Sequence, residues 1–212
     1  MMTLSASPTY RTLDIGDALF SVQSGASTVF RVESGHILLF KTLPGNRRQI
    51  LAILTAGDYF GFPVSGRRDC AAACLSPALV AEWPLADLAP RTLRLAAEAH
   101  LAAAMSTMLD LGRKSALERV AAFLGLLQRR RLDLPLRIGL AADCLGLRVE
   151  TVSRVLHQLQ RDGIILNPAF DGASMILNPA ALELIAQGRG QSGTGTPPAH
   201  RPPAVPLPGT PA

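Results

Sequence analysis

The sequence predicts an α+β fold: a β jelly roll or small barrel in front, one long helix in the middle and a winged helix-turn-helix behind. Three observations carry this. Over residues 12–85, short runs of Val, Ile, Leu and Phe alternate with turn formers, as in a compact antiparallel β domain. After residue 86, Ala and Leu dominate at helical spacing, and Gly and Pro nearly vanish. Further on, two short helical segments joined through "LGLR" precede two short strand-like runs. The 212 residues allow one large or two modest domains. The expected divisions are a β domain over 1–88, a long helix over 89–112, a winged helix-turn-helix over 113–187 and a disordered tail over 188–212.

In chain order, "ALFSV", "TVFRVESG", "HILLFKTL" and "RRQILAIL" read as separate strands, divided by "QSGAS", "SG", "LPGN" and "TAGD". "PALVAEWPL" is a further strand, closed by Pro84. Leu93, Ala97, Leu101, Ala104, Met108 and Leu111 recur three and four apart, which gives a helix with one apolar stripe. A helix of about 20 residues is about 30 Å long. A stripe of that length needs a cover, either the β domain or a second copy of the chain. Gly112 marks the end of this helix or a hinge. Ser115 and Glu118 stand in capping-box spacing at the start of the next helix, which "LDLPL" breaks. Two short helices follow, "GLAADCLG" ended by Gly146 and "VETVSRVLHQLQRDG" ended by Gly163. "IILNPAFDGASMILNP" reads as two strands around a turn at Asp171-Gly172, and "AALELIAQG" as a last helix. The tail is rich in Gly, Pro, Ser and Thr and lacks the apolar surface to order itself.

Charge narrows the function classes. The net charge is +5, and its distribution is uneven. Residues 111–166 carry ten Lys/Arg against five Asp/Glu, whereas residues 1–60 carry five against four. A basic surplus around the two short helices suits nucleic acid, although a solvated basic face would look the same. No apolar run reaches the roughly 18 residues that span a bilayer, and no basic-then-apolar leader opens the chain, so the expected location is cytoplasmic, away from membranes. Three cysteines are too few for a disulfide framework or a four-thiolate cluster. His36, His100, His157 and His200 are scattered, and no metal or other cofactor is expected. No nucleophile–base pair, phosphate loop or paired carboxylates point to an enzyme.

The second short helix carries the chemistry. Val152, Val155, Leu156 and Leu159 share one face, and Glu150, Ser153 and Arg154 share another at i, i+3 and i+4. In a helix-turn-helix, the second helix enters the major groove with its N-terminal residues at base edges. Arg154 can bond bidentate to guanine O6 and N7, and Glu150 can accept from cytosine N4. Ser153 can donate or accept, and Val149 can touch a thymine methyl. Arg137, Arg148 and His157 suit phosphates. The bland alternative is an ion pair between Glu150 and Arg154 on a wet helix, contributing about 0.2–0.5 kcal/mol. The preceding helix, the turn glycine, the following hairpin and the basic surplus favour reading double-stranded DNA.

With those residues in view, "LGLRVETVSRVLHQLQRDGII" resembles the helix-turn-helix signature of the Crp/Fnr superfamily. "LGRKSALERVAAFL" is similar to the segment just upstream in its FixK-like and Fnr-like branches, and the front half resembles the family's cyclic-nucleotide-binding-type β jelly roll. The resemblance spans residues 13–187. It implies that a V-E-x-x-S-R pattern, here Val149, Glu150, Ser153 and Arg154, reads TTGAT half-sites paired with ATCAA. The Crp branch carries R-E-x-x-G-R instead. It also implies a homodimeric activator with RNA polymerase as partner, like FixK-type regulators of microaerobic, respiratory and nitrogen-fixation genes. One departure is clear: Arg137 and Leu140 replace the usual cap and acidic residue of the first short helix, and Ala141 replaces a larger aliphatic. Losing the cap costs about 1 kcal/mol and predicts a looser helix.

Sensing looks different from the nucleotide-binding members. There a Glu holds ribose and an Arg-Ser or Arg-Thr pair takes the cyclic phosphate. Aligning "VAEW" with the family's strand puts Arg68-Asp69 at that pair and Phe60 and Phe62 near the Glu. Asp repels phosphate and Phe accepts nothing from ribose, so nucleotide binding is expected to be lost; Arg67 and Arg68 either take another anion or, as the favoured reading, lie in a solvated loop. Fnr-type iron–sulfur sensing takes N-terminal cysteines, and none precedes Cys70. Cys70 and Cys74, an even four apart in an apolar strand and so on one side of the sheet, form a candidate redox pair, or simply pack. Cys144, beside the reading helix, is a third candidate whose oxidation would weaken DNA binding, with packing again the alternative. Two rivals remain: a regulator gated by a small effector in the barrel, and a nucleotide-binding module acting on a protein partner. Glu150, Ser153 and Arg154 argue against the second.

Overall fold

A computed structural model of the chain describes residues 7–129, 137–166 and 175–189. Its front half is six strands: β1 (Thr9–Leu13), β2 (Ala18–Phe20), β3 (Thr28–Leu43), β4 (Arg47–Leu54), β5 (Tyr59–Phe60) and β6 (Ala71–Pro84). They form one antiparallel sheet in the order β1-β6-β3-β4, with β2 on β6 and β5 on β3. Leu13, Phe30, Val32, Ile37, Leu39, Leu54, Phe60 and Val80 meet in its interior.

Two expectations are corrected here. "TVFRVESG" and "HILLFKTL" are not two strands but one of 16 residues. Ser34-Gly35 is an irregularity inside it, where the register against β6 slips between Val32 and Ile37. Gly35 has φ 77, and a Cβ there would lie 2.2 Å from the Pro77 carbonyl oxygen, so only glycine lets the bent strands stay this close. Turns and bulges recruit the same residues, so the sequence alone reads one as the other. β1 was not expected at all. Only Leu13 of its five residues is buried, so it shows no alternation, and it is held by its ladder to β6 from Thr9↔Glu82 to Leu13↔Ala78.

After a short turn the chain becomes helical: α1 (Pro90–Arg113), α2 (Ala116–Arg129), α3 (Ile138–Leu145), α4 (Val149–Arg161) and α5 (Pro179–Ala186). A small antiparallel pair, β7 (Ile165–Leu166) and β8 (Met175–Ile176), lies between α4 and α5. α1 begins with proline in its first turn and ends one residue past Gly112. The capping box at α2 is formed in full. The Ser115 amide donates to Glu118 Oε2 at 2.7 Å, and the Glu118 amide donates to Ser115 Oγ at 3.3 Å. The expected break at 132–136, the turn at Asp171-Gly172 and the tail beyond residue 189 lie outside the described residues.

A second core joins the helices: Val120 and Leu124 of α2, Ala141 and Leu145 of α3, Val152, Leu156 and Leu159 of α4, and Leu182 of α5. The two cores touch through a seam. Leu38 points away from the barrel interior that Ile37 and Leu39 fill, and with Ile50 it meets Leu140 of α3.

Candidate nucleic-acid interface

α4 is divided sharply. Val152, Val155, Leu156 and Leu159 are buried, while Val149, Glu150, Arg154 and His157 are exposed and Ser153 is half-buried. Among the described residues, no ion pair joins Glu150 to Arg154, and no hydrogen bond occupies the side chains of Glu150, Ser153 or Arg154. The wet-helix ion pair that would have explained this face is therefore not formed. Arg148 caps α4 with its backbone alone: its carbonyl accepts from the Thr151 and Val152 amides at 3.0 and 3.1 Å, and its side chain makes no cap bond. The first amides of α4 are thus left for an outside acceptor, and the positive end of the helix dipole points the same way.

The elements around α4 set its position. α3 turns into α4 at Gly146, where φ is 61, a left-handed conformation that favours glycine. Arg119 braces this turn from α2, donating from Nε to the Lys114 carbonyl at 2.9 Å and from Nη1 to the Leu145 carbonyl at 3.4 Å. No local pattern marks Arg119 for this task, and reading the sequence missed it. Arg137 sits exposed at the start of α3 and makes no side-chain cap bond, as its residue type implied. Leu140, in place of the usual acidic residue, is buried in the seam.

The stripe on α1 is left open. None of the 24 residues of α1 is buried. Ala97, Leu101, Ala104 and Met108 are exposed, with Leu101 at 63% and Met108 at 71%, and Leu93 is half-buried. The β domain reaches α1 elsewhere: His100 Nε2 lies 2.6 Å from the Tyr59 carbonyl oxygen, and its ring meets Phe62 edge-on.

The thiols and Arg68 are drawn inward. Burial raises the pKa of Cys70 and Cys74, and the Cys74 thiol donates to the Ser76 carbonyl at 2.8 Å. Burial pushes Cys144 up to about 12, Asp143 adding to the shift and Arg48 opposing it. The oxidisable form is the thiolate, which burial disfavours at each of the three. The expected solvated loop at Arg68 is incorrect. Arg68 is only 4% exposed. Its guanidinium donates to the Gly61 carbonyl at 3.1 Å and to the Thr28 carbonyl and Oγ1 at 3.0 and 3.2 Å, and it lies over the rings of Phe20 and Phe30 at 4.1 and 5.1 Å. Its neighbour Asp69 pairs with Lys41 at 2.7 Å. Among the described residues, no cluster of three metal-ligating side chains occurs, and no helix is long and apolar enough to cross a membrane.

Comparison with known proteins places this geometry. Residues 118–185 match the Crp-like helix-turn-helix domain. The nitrogen fixation regulation protein FixK of Bradyrhizobium diazoefficiens is 35% identical over 190 residues, which cover 81% of this chain and 79% of that protein. The transcriptional activatory protein AadR of Rhodopseudomonas palustris is 33% identical over 188 residues, 80% of this chain and 78% of that protein. The solved structure of FixK2 from Bradyrhizobium japonicum superposes with a TM-score of 0.77 at 30% identity, over 85% of this chain and 98% of that one.

Proposed function

The chain belongs to the Crp/Fnr superfamily of DNA-binding transcription regulators, in its FixK-like branch, and from that premise we propose that it is an activator reading a TTGAT/ATCAA-like palindrome as a homodimer. Val149, Glu150, Ser153 and Arg154 meet base edges, while Arg137, Arg148 and His157 hold phosphates. One observation carries the reading: a polar trio without partners within the described fold stands on a helix whose other face is wholly buried. An exposed charged face that satisfies nothing internal is available to a ligand.

The open stripe of α1 supports dimerisation, because a second copy laid along it would cover Leu101, Ala104 and Met108. A two-fold dimer sets two reading helices about 34–36 Å apart along the duplex. RNA polymerase is the partner that activation requires. The barrel works without a cyclic nucleotide: Arg68 spends its donors on Gly61 and Thr28 and lies over Phe20 and Phe30, whose rings pack with that of Phe60 at 5.4–6.2 Å.

The test is selection of bound sequences from random duplex DNA by the full chain, with and without cyclic AMP. Enrichment of the TTGAT/ATCAA-like palindrome in both arms is expected. Recovery of no shared motif would overturn base reading, and a motif seen only with cyclic AMP would overturn the silent barrel.

A further inference from the structure

We infer that the β domain clamps the reading helix, with Arg48 and Gln49 of β4 as positioning residues that act on α4 through α3. The inference rests on the DNA-reading proposal above. Covalently, the β domain reaches the helix-turn-helix through α1 and a bend at Lys114-Ser115, where Lys114 leaves the helix with φ −90 and ψ 142. One extended residue between two helices does not by itself fix the angle between the parts they join. The seam does. Arg48 Nε lies 3.0 Å from Asp143 Oδ2, with its guanidinium over the Phe40 ring at 5.5 Å. Gln49 Nε2 donates to the Cys144 carbonyl at 3.3 Å and to the Ile50 carbonyl at 3.1 Å. Beneath them Leu38, Ile50 and Leu140 are buried together, with Phe40, Ile53, Leu75 and Cys144 around them.

The two kinds of contact do different work. The apolar seam supplies adhesion, which has no direction. The Arg48–Asp143 pair is 42% and 29% exposed, so it adds little to stability. It is directional, however, and with Gln49 on the Cys144 carbonyl it fixes where α3 lies along β4. α3 and α4 share one core, so whatever sets α3 also sets α4. In a two-fold dimer, the pose of each α4 against its own β domain determines the separation and rotation of the two reading helices. The clamp therefore selects half-site spacing rather than half-site sequence.

The test measures affinity for palindromes whose half-sites are moved apart or together by one and two base pairs, and for a single half-site. Each added base pair turns the second half-site by about 35°. The unaltered protein should lose about tenfold or more for one inserted base pair. Arg48→Asp with Gln49→Ala should bind the optimal palindrome about five- to tenfold more weakly, tolerate the insertion with less than about threefold further loss, and bind the single half-site as before. Adding Asp143→Arg to Arg48→Asp should restore the sharp optimum, which a merely destabilised protein would not regain. Thermal melting of each variant separates loss of fold from loss of pose. A double variant that keeps the original spacing profile, or that loses single half-site binding to the same degree, overturns the clamp and leaves the DNA reading standing. An unaltered protein that binds no duplex overturns both.

Discussion

Two arginines in two regions of this molecule have opposite fates. Arg68 of the barrel is turned inward, with carbonyl, hydroxyl and aromatic partners around its guanidinium. Arg154 of α4 is turned outward, on a helix whose opposite face is buried, and has no partner among the described residues. The difference lies in which partners the fold places within reach, since the side chains are identical. A satisfied cation is part of the core, because removing it strands the groups it bonds. An unsatisfied one on a rigid element is held ready for an outside acceptor, and rigidity lowers the entropy lost on binding.

Removing each arginine breaks the comparison most directly. Arg68→Ala should cost about 3 kcal/mol of stability in urea unfolding, because it leaves a cavity and acceptors without donors. Arg68→Met, which fills the volume but leaves the carbonyls unbonded, should cost less. If alanine costs under about 1 kcal/mol, the buried guanidinium is incidental. Arg154→Ala should leave unfolding within about 0.5 kcal/mol of the unaltered protein while weakening the palindrome by about 1–3 kcal/mol and relaxing preference at one base pair. Unchanged selectivity would remove Arg154 from the reading set.

Smaller effects sharpen the contrast. Ser115→Ala breaks the capping box that starts α2 and should lower stability by about 1 kcal/mol, read by thermal melting, with no change in which half-site is preferred. A shift in half-site choice would mean that α2 does more than support. The thiol nearest the reader gives the finest probe. With Cys144 pushed up to about 12, its alkylation in a Cys70→Ala, Cys74→Ala background should be slow at pH 7 and rise about tenfold per pH unit towards pH 10, following the thiolate. A rate that levels off near pH 8 to 9 would mean an ordinary, reactive thiol and would revive redox control of DNA binding.

Several features were legible in the residues because their cause is local. The division of α4 follows from apolar spacing at Val152, Val155, Leu156 and Leu159. The start of α2 follows from Ser115 and Glu118, and the turn before α4 from Gly146. The stripe on α1 was visible too, although two covers fitted it equally well. β1 was illegible because four of its five residues face solvent, so nothing alternates. Ser34-Gly35 misled because the residues that close a turn also relieve a bulge.

What the sequence determined by itself is periodic or confined to a few neighbours: which faces are apolar, where helices start and turn, and which helix carries Glu150, Ser153 and Arg154. Tertiary structure alone decided which polar groups find partners. Arg68 meets Thr28 forty positions away, and Arg48 meets Asp143 across ninety-five. The physical reason is that desolvation and hydrogen bonding depend on what stands within about 3 Å in space, and no pattern along the chain states that distance.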